Sequence, residues 1–423
     1  MRDSNDDLNR LREQAQQLNN LKPTKLMMET KRYIHTQKRP QGKTRSFGIT
    51  RKASQALHQA LWTAWSQRNA TQFTHLVRLF LDNRPGDEIQ LDLVISCLPH
   101  GAVQTVLSMP FSSMMVHVRS QARAWMEAHA YEEDHERRKR PRVRFADDAP
   151  SDSTITRTPR ASSPNRPVSL DLGSCEHFCS YLVLKPEDRP PHSCVGHIDT
   201  SCDESFRHSF FPCAGDQCSP SVCQRKVGYS GELTRMDEIL SRPMCEELSV
   251  LHQLQLAYRI TAAVLKFNST PWLEENWDLR SLTFFQLGSD LPSSLQTLHI
   301  SVELGQSPQK GSTMDVDAAD MNNALEDAKF MHGIQNLTLY NLGVALLSIG
   351  RWTPVNSNDI VQVRRMASRM CPLGPRYHEM TQKVLDCDFG FGKDLRKVKL
   401  QEAVYDNVLL ELEDMMSTLA VQE

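Results

Sequence analysis

Apolar residues recur at three- and four-residue spacing through residues 54–81, as Leu57, Leu61 and Trp65 and then as Phe73, Leu76, Val77 and Phe80. That spacing puts them on one helical face and predicts one long helix, or a tight pair broken at Arg68-Asn69. Ile89, Leu91, Leu93 and Ile95 alternate with their neighbours through Asp92, which is the period of a strand, and Pro99 ends it. Residues 115–129 predict a further helix burying Val118, Ala122, Trp125 and Met126. The first 22 residues or so are helical by propensity.

The pattern then lapses. Residues 131–167 are rich in charge, Ser, Thr and Pro and nearly free of large apolar side chains, so they cannot bury enough surface to offset the entropy of ordering. A second such stretch, residues 305–320, reads as a long surface insertion. Between them lie short β-prone pieces at residues 181–184, 194–198 and 206–211 and a helix over 246–267 whose stripe runs Leu248, Leu251, Leu254, Tyr258, Ala262 and Leu265. Residues 337–349 are almost wholly apolar and predict a central helix. Leu400, Val404, Val408, Leu412, Met415 and Leu419 form the cleanest stripe of all. Such stripes are read as core packing. The expected organisation is a helical N-terminal region over 1–130, a disordered basic linker over 131–168, and a domain over 169–423 with a disordered insertion near 305–322. The expected class is α+β, mainly α.

Composition narrows the function classes. With 39% hydrophobic and 24% charged residues the chain is ordinary globular material, which excludes a wholly disordered or collagen-like protein. Forty-nine Lys and Arg against 51 Asp and Glu leave a net charge of −2, so no whole-protein field draws it to nucleic acid or an anionic membrane. The opening, MRDSNDDLNR, is polar where a secretory signal needs an apolar core, and no apolar run approaches the ~20 residues of a membrane span. These features read as an intracellular, soluble protein of cytoplasm or nucleus. Residues 22–52 carry ten basic side chains against one acidic, Glu29, and read as a solvated arm. Within them Gly42-Lys43-Thr44 resembles the end of a phosphate loop, but Gln37 occupies the first glycine position and no apolar strand leads in.

Seven of the eleven cysteines, Cys175, Cys179, Cys194, Cys202, Cys213, Cys218 and Cys223, fall in one region. Their irregular gaps contain no repeated C-x-x-C, so they read as small hydrophobes, with a zinc site assisted by His192, His197 and His208 as the alternative. No G-x-S-x-G, H-E-x-x-H or cofactor motif is present.

Four segments carry a resemblance. They are Cys194-Val195-Gly196-His197 with Arg207-His208-Ser209-Phe210; Ala257-Tyr258-Arg259 through Thr270-Pro271-Trp272-Leu273 to Trp277; Leu339-Tyr340-Asn341-Leu342-Gly343-Val344; and Tyr377 through Cys387-Asp388-Phe389. In order and spacing they resemble the fungal domain-of-unknown-function family 7580, associated with the prion-inhibition-and-propagation (HeLo) group. Leu57-His58-Gln59-Ala60-Leu61 with Trp65 is similar to that family's helical preamble. The family in turn looks like a degenerate protein kinase, which implies a small strand-bearing lobe and a helical lobe.

Phosphoryl transfer needs a glycine-rich phosphate cover, a lysine, a His-Arg-Asp loop and a metal-binding Asp-Phe-Gly. The chain has no G-x-G-x-x-G; Lys185 only imitates the strand lysine, and residues 268–277 contain no His-Arg-Asp. Asp388-Phe389-Gly390 lies after the central helix rather than before it and reads as a helix end capped by glycine. Glu274 and Glu275 are adjacent loop carboxylates of the solvated kind. The implied function is a non-catalytic, pseudokinase-like scaffold in signalling or in self-recognition and cell death; an active kinase or other nucleotide-dependent enzyme is the rival. Trp272 and Trp277 are expected to be buried against the C-terminal helices.

The linker holds the sharpest local signal, Glu136 to Asp148. Lys139, Arg140 and Arg142 fit a nuclear-import pattern. Arg142, Val143 and Phe145 resemble the R-V-x-F docking motif for a type-1 protein phosphatase, with Val143 and Phe145 on one face of an extended segment. The third reading is a solvated basic run. Thr158-Pro159 and Ser163-Pro164 are candidate phosphorylation sites whose added negative charge would mask that run. Nucleic-acid contact through either basic stretch would be sequence-independent and salt-sensitive, and no nucleic-acid partner is implied.

Overall fold

The computed structural model describes residues 41–66, 73–81, 89–99, 113–122, 170–175, 178–183, 194–200, 205–212, 232–243, 248–287, 290–304 and 331–420. The chain divides into two units, Met1–Ser46 and Phe47–Glu423. Of the first, only residues 41–46, the opening of helix α1 (Gln41–Ser66), are described. The expected linker and the 305–322 insertion lie outside the described residues.

The second unit is α+β and is organised on one antiparallel sheet of eight strands: β1 (Phe73–Phe80), β2 (Ile89–Pro99), β3 (Ser113–Ala122), β4 (Gly196–Asp199), β5 (Phe206–Pro212), β6 (Leu233–Arg235), β7 (Leu282–Phe285) and β8 (His299–Leu304). Their spatial order is β4-β5-β3-β2-β1-β8-β7-β6. Val77 of β1 faces Ile95 of β2 on one side and Val302 of β8 on the other. Pleating divides each strand between two faces. Val77, Leu79, Leu93, Ile95, Val116, Val118 and Ile300 enter the main core with Leu57, Leu61 and Trp65 of α1. Phe80, Val94, Met115, Leu233 and Phe285 form a smaller cluster.

Two expected helices are therefore strands. Residues 73–80 mimic helical spacing because β1 is interior to the sheet: Val77 and Leu79 are buried, and so are Arg78 and Phe80 on the other face, which erases the two-residue contrast. In residues 113–122 the alternation of Val116, His117, Val118 and Arg119 decides the outcome; Trp125 and Met126 lie outside the described residues. The N-terminal region is accordingly not a separate helical region, since β1 pairs with β8 and β3 with β5 across the expected boundary. Conversely, the β-prone residues 181–183 belong to helix α2 (Phe178–Val183). The strands expected at residues 89–95, 194–198 and 206–211 are β2, β4 and β5.

Helix α3 (Met236–Leu240) follows β6 and leads to α4 (Val250–Phe267), which opens with a capping box of Ser249 and His252. Helix α5 (Leu291–Leu295) joins β7 to β8. Helix α6 (Leu337–Arg351) is buried from Thr338 to Gly350, as its apolar sequence predicts. A Cβ on its Gly343 would stand 2.6 Å from Leu385 Cγ, so glycine there lets α8 (Pro375–Leu385) approach; α7 (Ile360–Ala367) lies between them in sequence. The C-terminal stripe spans α9 (Val398–Val404), a π turn at Tyr405–Leu409 and α10 (Leu410–Ala420). Leu400, Val404, Val408 and Leu412 are spaced strictly by four, which runs ahead of 3.6 residues per turn; the widened turn absorbs the surplus and keeps all four buried. No described helix is long and apolar enough to cross a membrane.

Candidate functional site

The loop that follows α4 is where the kinase resemblance implies chemistry, and three of its polar side chains bond the backbone. Asn268 Nδ2 donates to the carbonyls of Val264 at 2.7 Å and Leu265 at 3.2 Å, closing the last turn of α4. Thr270 Oγ1 donates to Phe267 O at 2.6 Å. Ser269, at φ 57°, accepts a bond from Arg396 Nε. Trp272 and Trp277 are 2% and 3% exposed. Both tryptophans are thus buried, but Trp272 reaches back to α1: its Nε1 donates to Ser54 O at 2.8 Å and its ring meets His58 edge-on. Arg51 of α1 donates to Leu265 O at 2.6 Å, and burial lowers its pKa, so the basic arm expected to be solvated is at this point part of the fold. Glu274 and Glu275 are exposed, with Glu275 Oε1 3.6 Å from Arg396.

Just beyond this loop lies a cleft of about 310 Å³ between α3, the 3-10 turn Leu279–Ser281, α6 and the loop after α6. Asn341, Val344 and Ala345 of α6 and Leu279 are buried at its floor, while Ser241, Arg280, Pro354 and Asn356 are exposed at its rim. Asn341 Nδ2 donates to Glu275 O at 3.4 Å, tying the loop to α6. Asp278 caps the 3-10 turn, its Oδ1 accepting from the N–H groups of Arg280 and Ser281. Asp237 lies 3.2 Å from Arg235 Nε and 3.6 Å from Arg280 Nε.

Elsewhere the buried titratable groups are locked. His208 meets Ser120 Oγ at 2.8 Å, and burial pushes its pKa down to about 3. His299 bridges Thr297 O and Thr283 Oγ1, and burial, with the nearby Arg78 charge adding to it, pushes it down to about 3 as well. Arg78 donates to Ser96 Oγ at 2.9 Å, and burial lowers its pKa to about 10. His117 Nδ1 stands 2.6 Å from Asp92 Oδ1.

Lys139, Arg140, Arg142, Val143, Phe145, Thr158, Ser163 and Lys185 lie outside the described residues. Of the cysteine and histidine cluster, Cys175 is half-buried, Cys194 is exposed and donates to Gly196 O, and His197 and His208 sit on β4 and β5; His192, Cys202, Cys213, Cys218 and Cys223 lie outside the described residues. Among the described residues no three His, Cys, Asp or Glu converge as metal ligands. Asp388-Phe389-Gly390 follows a helix end, as its position implies; Gly390 and Gly392 are left-handed at φ 75° and 82°, but the residue at the helix's own C′ position is Cys387 at φ 53°. The N–H of Cys387 bonds Val384 O and that of Asp388 bonds Lys383 O, a Schellman closure with cysteine where glycine is expected. The cleft was not legible in sequence: Asp237, Asp278 and Asn341 lie on three separate elements and share no spacing. No protein-family model matches this chain, and no curated protein matches it.

Proposed function

We propose that the protein is a non-catalytic interaction scaffold built on a degenerate kinase-like domain of the fungal family it resembles, acting inside the cell in signalling or self-recognition. One observation carries the reading: three polar side chains of the loop after α4 are committed to the backbone. A catalytic loop keeps a carboxylate or hydroxyl free to meet substrate. Here the amide of Asn268, the hydroxyl of Thr270 and the indole of Trp272 all bond backbone carbonyls. The two carboxylates of the loop, Glu274 and Glu275, are adjacent and exposed, and Glu275 stands 3.6 Å from Arg396. The linker residues Arg142, Val143 and Phe145 supply the second element of the proposal, a docking segment for a type-1 phosphatase, with Lys139, Arg140 and Arg142 directing nuclear import.

The test is thermal unfolding with ATP, with and without Mg²⁺. A nucleotide at a hundredfold excess over its Kd adds ~2.7 kcal/mol and raises Tm by a few degrees. The scaffold reading expects no Mg²⁺-dependent shift; a saturable one overturns it in favour of a nucleotide-dependent enzyme. The phosphatase element is tested by a pull-down from cell extract with wild type beside Val143→Ala/Phe145→Ala. It stands if a phosphatase catalytic subunit comes down with wild type alone and falls if the two captures match.

A further inference from the structure

We propose that the ridge formed by residues 391–399, between α8 and α9, docks on the surface of a bilayer carrying anionic lipids, an inference that goes beyond the scaffold reading and does not depend on it. Within 391–399 only Leu395 is buried. Phe391 is 51% exposed and Val398 63%. Apolar side chains scattered singly on a surface need no explanation, but these two stand among four cations, Lys393, Arg396, Lys397 and Lys399, against one acid, Asp394. Lys393, Lys397 and Lys399 are exposed, and none has an ion-pair partner among the described residues.

The fold holds the ridge in place. Gly390 and Gly392 are left-handed, and a Cβ at either would meet nothing within 4 Å, so it is the backbone turn that asks for glycine, and the turn presents Phe391. Asn336 Nδ2 donates to Lys393 O at 2.7 Å, and Gln401 Nε2 donates to Leu395 O at 2.7 Å. Leu395 and Leu400 anchor the stretch in the main core. Arg396 is turned to the loop after α4, donating to Ser269 Oγ at 3.3 Å and standing 3.6 Å from Glu275, so it fastens the ridge and leaves the three lysines to a ligand. Asp394 spends Oδ1 on the N–H of Arg396. Apolar tips flanked by lysines suit the boundary between headgroups and acyl chains: the tips enter it while the ammonium groups stay among the lipid phosphates. The negative potential of an anionic leaflet draws in each lysine. Nucleic acid fits less well, because single strands are held on successive aromatic platforms, whereas the ridge has one aromatic and a valine, which cannot stack on a base.

The test uses the full chain and sedimentation with vesicles of phosphatidylcholine and phosphatidylserine at about 7:3, beside vesicles of phosphatidylcholine alone, in about 0.1 M NaCl. Binding to the anionic vesicles is expected to exceed binding to the neutral ones at least about tenfold. Lys393→Gln/Lys397→Gln/Lys399→Gln is expected to weaken it by about fivefold per charge, ~100-fold in all. Phe391→Ser/Val398→Ser is expected to weaken it at least about tenfold while leaving its salt dependence unchanged. The basic stretches 22–52 and 137–144 are intact in both variants, so binding through them leaves both at wild-type affinity. Phe391→Trp reports insertion directly and keeps the test decisive if the lysine variant does not fold: its added emission is expected to shift to the blue and to be quenched by brominated phosphatidylcholine mixed into the anionic vesicles. No binding by wild type, equal binding to the two vesicle types, wild-type affinity in either variant, or an unshifted Phe391→Trp spectrum overturns the proposal. A single-stranded oligothymidylate that binds as tightly as the vesicles and loses affinity in both variants assigns the ridge to nucleic acid and overturns it too.

Discussion

Trp272→Ala tests whether the loop after α4 is structural. The side chain is 2% exposed, belongs to the main core, and holds Ser54 O of α1 through its indole N–H. Removing a buried aromatic ring of ~150–250 Å² forfeits ~4–6 kcal/mol by area as an upper bound, and measured large-to-alanine changes of this kind cost ~3–5 kcal/mol. We expect about 4 kcal/mol, because α1 and the loop are joined at this point by only a few groups and the cavity cannot close without moving a helix. Trp272→Phe keeps most of the volume and removes the N–H. Ser54 O sits within α1 and retains its helical donor, so the expected cost falls to ~1–2 kcal/mol. The assay is urea unfolding at pH 7 followed by tryptophan fluorescence and circular dichroism, comparing midpoints at a shared slope. A cost below ~1 kcal/mol for the alanine variant would refute the reasoning, since an aromatic that is nearly free to remove is a surface for a partner rather than a strut.

Three further outcomes follow from the packing and the buried charges. Gly343→Ala brings a Cβ to 2.6 Å from Leu385 Cγ and 3.0 Å from its Cα; overpacking of ~1–3 kcal/mol outweighs a helix-propensity gain of just under ~1 kcal/mol, so thermal unfolding is expected to show a net loss, and a gain in Tm sinks this account. His208 and His299, each held near a pKa of about 3, stay neutral in the folded state while the unfolded chain takes up protons below its ordinary imidazole pKa. Stability is therefore full above about pH 6.5 and declines as pH falls, by up to ~1.4 kcal/mol per unit for each ring, until the folded rings also titrate. His208→Leu is expected to remove one ring's share of that slope between about pH 6.5 and 5, and an unchanged slope in urea-midpoint measurements contradicts it. Arg376 spans Glu411 at 2.5 Å and Asp414 at 2.6 Å on the surface; Arg376→Ala is expected to cost under ~1 kcal/mol, with most of the effect gone in 1 M NaCl, and a salt-independent loss would mean that packing of the side-chain stem dominates.

The helices of the C-terminal half were legible because their burial is one-sided or complete over long runs. Leu400 to Leu412 and the apolar stretch around Gly343 carry a signal that neighbouring elements do not interrupt. The π turn was not legible, although the strict four-residue spacing that demands it is visible once the structure is known. β1 failed for the opposite reason: with strands on both sides and both faces buried, Leu76 and Val77 stand side by side as apolar residues and counterfeit a helical pattern. Residues 178–183 failed through local propensity, since the β-prone Tyr181 and Val183 sit in a short helix whose Phe178 meets Trp65 and Phe210 edge-on. The cleft left no trace at all, because a site assembled from Asp237, Asp278 and Asn341 depends on three elements meeting in space, and spacing along the chain records only what one element does.

The loop and the cleft share one physical logic. Fixing residues 268–277 commits the amide of Asn268, the hydroxyl of Thr270 and the indole of Trp272 to backbone carbonyls, and the Asn341–Glu275 bond holds the loop, with Asp278 and the turn it caps, against α6. A recognition site gains affinity when its groups are held in place before the ligand arrives, since the ordering cost is already met in the folded protein. Asn341 is the strut: its Nδ2 anchors the loop, while its buried Oδ1 has no partner among the described residues. Asn341→Leu removes the Glu275 contact together with the buried unpaired oxygen, so its net effect on stability is the difference between the two.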